Sequence, residues 1–126
     1  MSTALDLYLL RAGQVKNLVR TRDVEGLDGL RPVYNLTNLE VDELAAGFGC
    51  ESVLGDPLIV DYETGLLVTR WHPDLVRRLA ALEEACIPAL LEDPEGVFQE
   101  ALKELAAVCR ECVQQRLALV QVDSML

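Results

Sequence analysis

Basic residues are missing from a long central stretch of this 126-residue chain, because no Lys or Arg occurs between Pro32 and Thr69. The segments on either side, residues 1–31 and 70–126, hold all eleven bases. Such unbalanced carboxylate repels nucleic acid and anionic lipid and attracts cationic proteins. We therefore expect no nucleic-acid partner and no membrane partner. The acids of the stretch are Glu40, Asp42, Glu43, Glu51, Asp56, Asp61 and Glu63.

Export and membrane signals are also missing. No apolar run approaches the roughly 18 residues that a membrane helix needs, and the first residues lack the basic start of a signal peptide. These absences favour a cytoplasmic protein. The length suits one domain, residues 1–126, which can bury about 68% of its unfolded surface.

Cysteines are too few for a disulfide framework, so we expect reduced thiols. Cys109 and Cys112 have the spacing of a redox pair or of half a zinc site. The pair falls late in a predicted helix, far from the positive helix end that would favour a thiolate, and no second pair supplies zinc ligands. Buried thiols in an apolar stripe are the favoured interpretation, with redox and metal roles left open, and we expect no cofactor.

Histidine occurs once, at His72, so any mechanism that needs an imidazole must use this residue. No nucleophile elbow, metalloprotease helix motif or phosphate loop accompanies it. A structural role at a helix start is the favoured interpretation. The alternative is a small enzyme or ligand-binding domain that uses His72 with Asp61 or Glu63 in a cleft.

Hydrophobic periodicity predicts alternating strands and helices. The clearest signals are a hairpin around Glu63-Thr64-Gly65 and a helix that begins at Pro73. The fold class is therefore α/β or α+β, a single domain with a mixed sheet of about five strands and about four helices. The predicted strands are 5–10, 33–36, 58–62, 66–71 and 117–122, and the predicted helices are 12–22, 37 to about 47, 73 to about 87, and one from Asp93-Pro94 to beyond Cys112.

Three parts of the chain follow a recognisable order: Leu5 to Leu10 with its short helix, Asp61 to Trp71 leading into Pro73 to Leu82, and the closing strand Leu117 to Val122. This order of elements resembles the YfbM-like family of bacterial α/β domains of unknown function. The resemblance implies a bacterial α/β domain. The family has no established catalytic residues, so the resemblance assigns no site.

The charge pattern predicts a protein-binding module. Its most concrete form is an acidic immunity protein or antitoxin, whose residues 37–63 dock on a basic toxin or enzyme and cover its surface. Attraction between opposite charges would raise the association rate, and an aromatic anchor would set the dissociation rate. A homodimer is a further possibility, because the aliphatic content is high. The candidate anchors are Tyr34, Phe48 and Tyr62.

Overall fold

A computed structural model describes residues 4–34, 36, 54–82 and 97–124 of the protein. These residues form six strand segments and three helices. The strands are β1 (Ala4–Leu5), β2 (Leu7–Leu10), β3 (Val33–Tyr34), β4 (Leu54–Asp61), β5 (Leu66–Trp71) and β6 (Ala118–Ser124). The helices are α1 (Ala12–Thr21), α2 (Pro73–Ala80) and α3 (Val97–Gln114).

The strands join into one antiparallel arrangement. Four of them pair in the order β2–β6–β5–β4, and β3 pairs with β1. β1 and β2 are two parts of one strand interrupted at Asp6, whose carbonyl still accepts a hydrogen bond from the Val122 N–H at 3.1 Å. Leu30 bridges to Tyr8 and thereby extends the β1–β3 pairing along β2. The described strands therefore have the order β3–β1/β2–β6–β5–β4.

The α+β class and the number of strands agree with the sequence-based prediction, but the expected mixed sheet is wrong for the described strands. Every pairing among them is antiparallel. Arg70 near the end of β5 lies opposite Val120 near the start of β6. The chain thus leaves the sheet through α2 and re-enters after α3 at the same end, whereas a parallel crossover would return it to the opposite end.

Helices cover both faces of the sheet, because alternate strand residues point to opposite sides. One face carries Leu7, Leu9, Trp71 and Leu119, which pack with buried residues of α2 and α3. The other face carries Leu10, Val68 and Val120, which pack with Leu18 of α1. The central strand β6 is consequently buried on both sides along Ala118 to Gln121.

One predicted helix end is wrong, and other predicted bounds lie outside the described residues. α2 ends at Ala80 instead of near Ile87, because the Ala81 and Leu82 N–H groups bond to the Arg77 and Leu79 carbonyls in a tightened last turn. The predicted helix that begins at residue 37 and the predicted helix start at residue 93 lie outside the described residues.

Gly29 lets the chain approach the edge of β2. Its φ is +92°, and its carbonyl accepts the Leu9 N–H at 3.0 Å. A Cβ atom at this position would lie 2.6 Å from the Leu9 carbonyl oxygen. The edge pairing of residues 29–34 therefore requires glycine, both for its conformation and for the space.

Replacing Gly29 by Ala should lower the free energy of unfolding by about 1–3 kcal/mol, because the backbone becomes strained and the new methyl group collides with β2. Urea denaturation measures the change. Gly13→Ala is the matched control, since Gly13 lies in α1 with nothing within 4 Å of the added Cβ, and it should be neutral or slightly stabilising. Equal effects of the two substitutions would contradict this account of Gly29.

A bidentate ion pair connects the edge segment of residues 29–34 to α3. Arg31 donates from Nε to Glu111 Oε2 at 3.1 Å and from Nη2 to Glu111 Oε1 at 2.9 Å. The hydrogen bond from Arg31 lowers the pKa of Glu111 below its usual value of 4.5, and the same hydrogen bond raises the pKa of Arg31. Such planar pairing fixes geometry as well as charge.

The stability that this pair provides should depend on pH. Because the pKa of Glu111 is lower in the folded state, its contribution is present above the unfolded value of 4.5 and is lost as the pH falls through the folded value. Wild type should therefore exceed Glu111→Gln in urea resistance at about pH 7, and the difference should shrink as the pH falls below 4.5 and through the lower folded value. Glu104→Gln, at an exposed acid of the same helix, is the control. A difference that persists unchanged in acid would refute the assignment.

Candidate functional site

The strand register brings distant parts of the chain to one end of the sheet. Leu66 lies opposite Ser124, and Ala4 lies opposite Tyr34. The register of β2 with β6 places the start of β1 beside the end of β6. We call this side, which carries the β4–β5 turn of residues 62–65, the turn end.

Acidic residues line a depression of about 460 Å³ at the turn end, which we call the acidic cleft. They come from three separate parts of the chain, and Arg22 is the single base among the lining residues. The Asp23 carboxylate also accepts the backbone N–H groups of Glu25 and Gly26, at 3.2 and 3.4 Å, so it is held in place. The acids that line the cleft are Asp6, Asp23, Glu25 and Asp123.

Sequence reasoning did not identify the acids of this cleft. Asp6, Asp23 and Glu25 lie in a segment where bases and acids nearly balance, and Asp123 lies near the other end of the chain. Their proximity results from the β6 pairings, which join residues more than 100 positions apart. Only a correct strand order could have indicated that these acids meet.

The predicted acid Asp61 has a structural task at the turn. Its Oδ1 accepts the N–H groups of Glu63 at 3.0 Å and Thr64 at 3.4 Å, and Arg22 lies 3.3 Å from its Oδ2. The Thr64 hydrogen bond is the main cause that lowers the pKa of Asp61. Gly65 completes the turn at φ +73°. Asp61 therefore caps the turn and is partly neutralised by Arg22.

Tyr62 stands at the tip of this capped turn with 82% of its surface exposed, and the exposed Glu63 follows it. The second candidate anchor, Tyr34, is 49% exposed on β3. Both lie at the turn end, but they are on opposite edges of the sheet, about 19 Å apart across four strand spacings. Tyr62 belongs to the β4–β5 turn, whose Thr64 and Gly65 line the acidic cleft, and neither tyrosine lines the cleft itself.

The remaining predicted site residues have no described side chains. Residues Glu40, Asp42, Glu43, Phe48 and Glu51 lie outside the described residues, and Asp56 is described only as part of the β4 backbone. All eleven Lys and Arg residues are described, against twelve of the 21 acids. The described part is therefore nearly neutral, and the acidic surplus belongs to residues 37–53 and 83–96.

The sole histidine is remote from the two acids with which it was paired in the alternative hypothesis. His72 is the N-cap residue of α2, at the far end of β5 from the turn that holds Asp61 and Glu63. The length of β5 alone separates them by about 17 Å. The carboxylate that lies near His72 is that of Asp74, whose Oδ2 is 4.0 Å from His72 Nδ1 on the exposed surface. His72, Asp61 and Glu63 thus share no cleft.

The cysteine pair is part of the core. Cys109 and Cys112 are buried on the inner face of α3, and Cys112 Sγ donates to the Leu117 carbonyl at 3.1 Å. Burial raises the pKa of Cys109 to about 12 and also raises that of Cys112. Among the described residues no group of three His, Cys, Asp or Glu side chains could hold a metal ion. This environment favours packing over thiolate chemistry.

Alkylation tests the thiol assignment. In native protein at about pH 8, iodoacetamide should modify Cys109 at least about a hundredfold more slowly than in urea, because the thiol is both buried and protonated. Peptide mass mapping gives the rate for this cysteine separately from the others. Modification of Cys109 at the same rate in both conditions would mean that its thiol is accessible to the reagent in the native protein.

Comparison with known proteins returned no match: no family model, no curated protein and no solved structure resembles this chain significantly. The resemblance to the YfbM-like family therefore stays a prediction. No helix in the described part of the chain combines the length and the apolar character needed to cross a membrane.

Proposed function

We propose that the chain is a cytoplasmic protein-binding module, an acidic immunity protein or antitoxin that neutralises a basic toxin or enzyme by covering its surface. The observation that supports this most directly is Tyr62, 82% exposed at the tip of a turn that Asp61 holds in shape. A tyrosine on a rigid turn offers a large apolar face and a hydroxyl group, and little conformational entropy is lost when it binds.

The acidic cleft beside Tyr62 supports a basic partner. Four acidic residues and one arginine line it, so a lysine or arginine of the partner would find excess negative charge near the aromatic anchor. Arg22 is itself engaged by Asp61, and the Asp123 carboxylate accepts two hydrogen bonds from the Gln121 amide, at 3.0 and 3.1 Å. The net charge of −10 would draw the partner in from a distance, and Tyr62 would hold it once bound.

Association kinetics test the electrostatic part of the proposal. A partner captured from the native host, identified by mass spectrometry and purified, should bind at least about tenfold faster at 0.01 M than at about 0.15 M salt, because the screening length falls from roughly 30 to 8 Å. One equivalent of the chain should also abolish the partner's activity. Equal association rates at both salt concentrations would show that the negative charge of the chain does not speed association.

Two tyrosine variants test the position of the interface. Tyr62→Ala should speed dissociation by about 30-fold or more if Tyr62 is the central anchor. Tyr34→Ala is the matched control on the opposite sheet edge and should change dissociation by less than about threefold. If Tyr34→Ala speeds dissociation and Tyr62→Ala does not, the interface lies at the β3 edge instead.

A further inference from the structure

The end of the sheet opposite the turn end holds a second depression with the opposite charge. It has a volume of about 280 Å³ and lies between the start of α2, the end of α3 and the adjoining ends of β5 and β6. Three arginines contribute to its wall, Arg70 from β5, Arg77 from α2 and Arg116 from the residues after α3. We call it the arginine cleft.

None of the acids in the described part of the chain lines this cleft. Arg77 is bound to Asp74 on the same helix. Arg70 and Arg116 have no carboxylate partner among the described residues. A guanidinium group without an acid partner, next to an apolar wall, is suited to hold a carboxylate or phosphate through paired hydrogen bonds.

Arg116 occupies a backbone position that usually holds glycine. Its φ is +55°, and the Leu117 N–H bonds to the Cys112 carbonyl at 2.9 Å while the Arg116 N–H bonds to the Val113 carbonyl at 3.3 Å. This is the Schellman end of α3. Arg22 has a similar φ of +56° at the end of α1, but there the side chain binds Asp61. For Arg116, the described residues include no carboxylate that binds its side chain in this way.

The other wall of the cleft is apolar and fixed. Trp71 is almost completely buried, and its Nε1–H donates to Gln121 Oε1 at 2.9 Å, which holds the indole in place. Pro73, Val113 and Leu117 supply the apolar surface that stays open to solvent. The positive charge of Arg70 opposes the burial effect that raises the pKa of Cys112, and both residues line the cleft. The volume lies just below the usual range of about 300–1,000 Å³ for ligand pockets.

We propose that the arginine cleft binds a small organic anion, with its carboxylate or phosphate oxygens between Arg70 and Arg116 and its apolar part against Pro73, Val113 and Leu117. This site is distinct from the acidic cleft and the Tyr62 surface, since β5 and β6 run their full lengths between the two. Either site can therefore exist without the other.

Trp71 provides the readout, because it is the only tryptophan of the chain. The full-length protein is titrated with benzoate, with phenyl phosphate and with the neutral benzamide, and tryptophan fluorescence and calorimetry are recorded. Saturable binding of benzoate or phenyl phosphate, at least about tenfold tighter than that of benzamide, is the expected result, and the stronger of the two identifies the head group. Equal binding of benzamide, or no saturable binding of any probe, would overturn the proposal.

Arginine variants connect the binding to the cleft. Arg70→Gln and Arg116→Gly should each weaken binding of the anionic probe by about tenfold or more. Glycine suits the positive φ of residue 116, so this variant removes the side chain while it keeps the helix end intact. Arg110→Gln, at an exposed arginine of α3 that does not line the cleft, is the control and should bind like wild type. Unchanged affinity in Arg70→Gln and Arg116→Gly would place the probe elsewhere.

Discussion

The antiparallel register of β6 is the constraint on which the rest of the structure depends. β6 pairs with β2 on one side and with β5 on the other, so it fixes which residues of three distant segments share a face and an end of the sheet. Because side chains alternate along a strand, a slip by one residue would exchange Leu119 and Gln121 with Val120 and Val122 between the two faces. The Trp71–Gln121 hydrogen bond, which is buried on one face, would be lost in that slip.

The same register separates charge along the strands. Acids from the first loop, the β4–β5 turn and the end of β6 meet at the turn end, whereas Arg70 and Arg116 lie at the other end. The described part of the chain is close to neutral in total, but its charge is unevenly distributed. Two surfaces of opposite sign can coexist on a small protein because β5 keeps them about 17 Å apart, roughly twice the screening length at physiological salt.

Local patterns were sufficient to predict most of the elements. The hairpin follows from two β-prone runs around Gly65, and the start of α2 follows from Pro73 at its first position. The buried state of Cys109 and Cys112 follows from their place in an apolar helical stripe. The antiparallel order of the strands could not be predicted in this way, because it depends on where the α2–α3 segment returns the chain. The structural place of His72 at a helix start was predicted, but the pairing of Asp61 with Arg22 and the separation of His72 from Asp61 and Glu63 were not, since these depend on the strand order and on the direction of β5.

By itself, the sequence determined the net charge, the stretch without bases, the helix and strand periods and the α+β class, because each of these depends on composition or on neighbours in the chain. The tertiary structure alone decided that Asp6, Asp23, Glu25 and Asp123 surround one cleft, that Arg22 neutralises Asp61, and that Arg70 and Arg116 line another cleft. The physical reason is that backbone hydrogen bonds between strands join residues far apart in the chain, and a linear pattern does not specify which strands will pair.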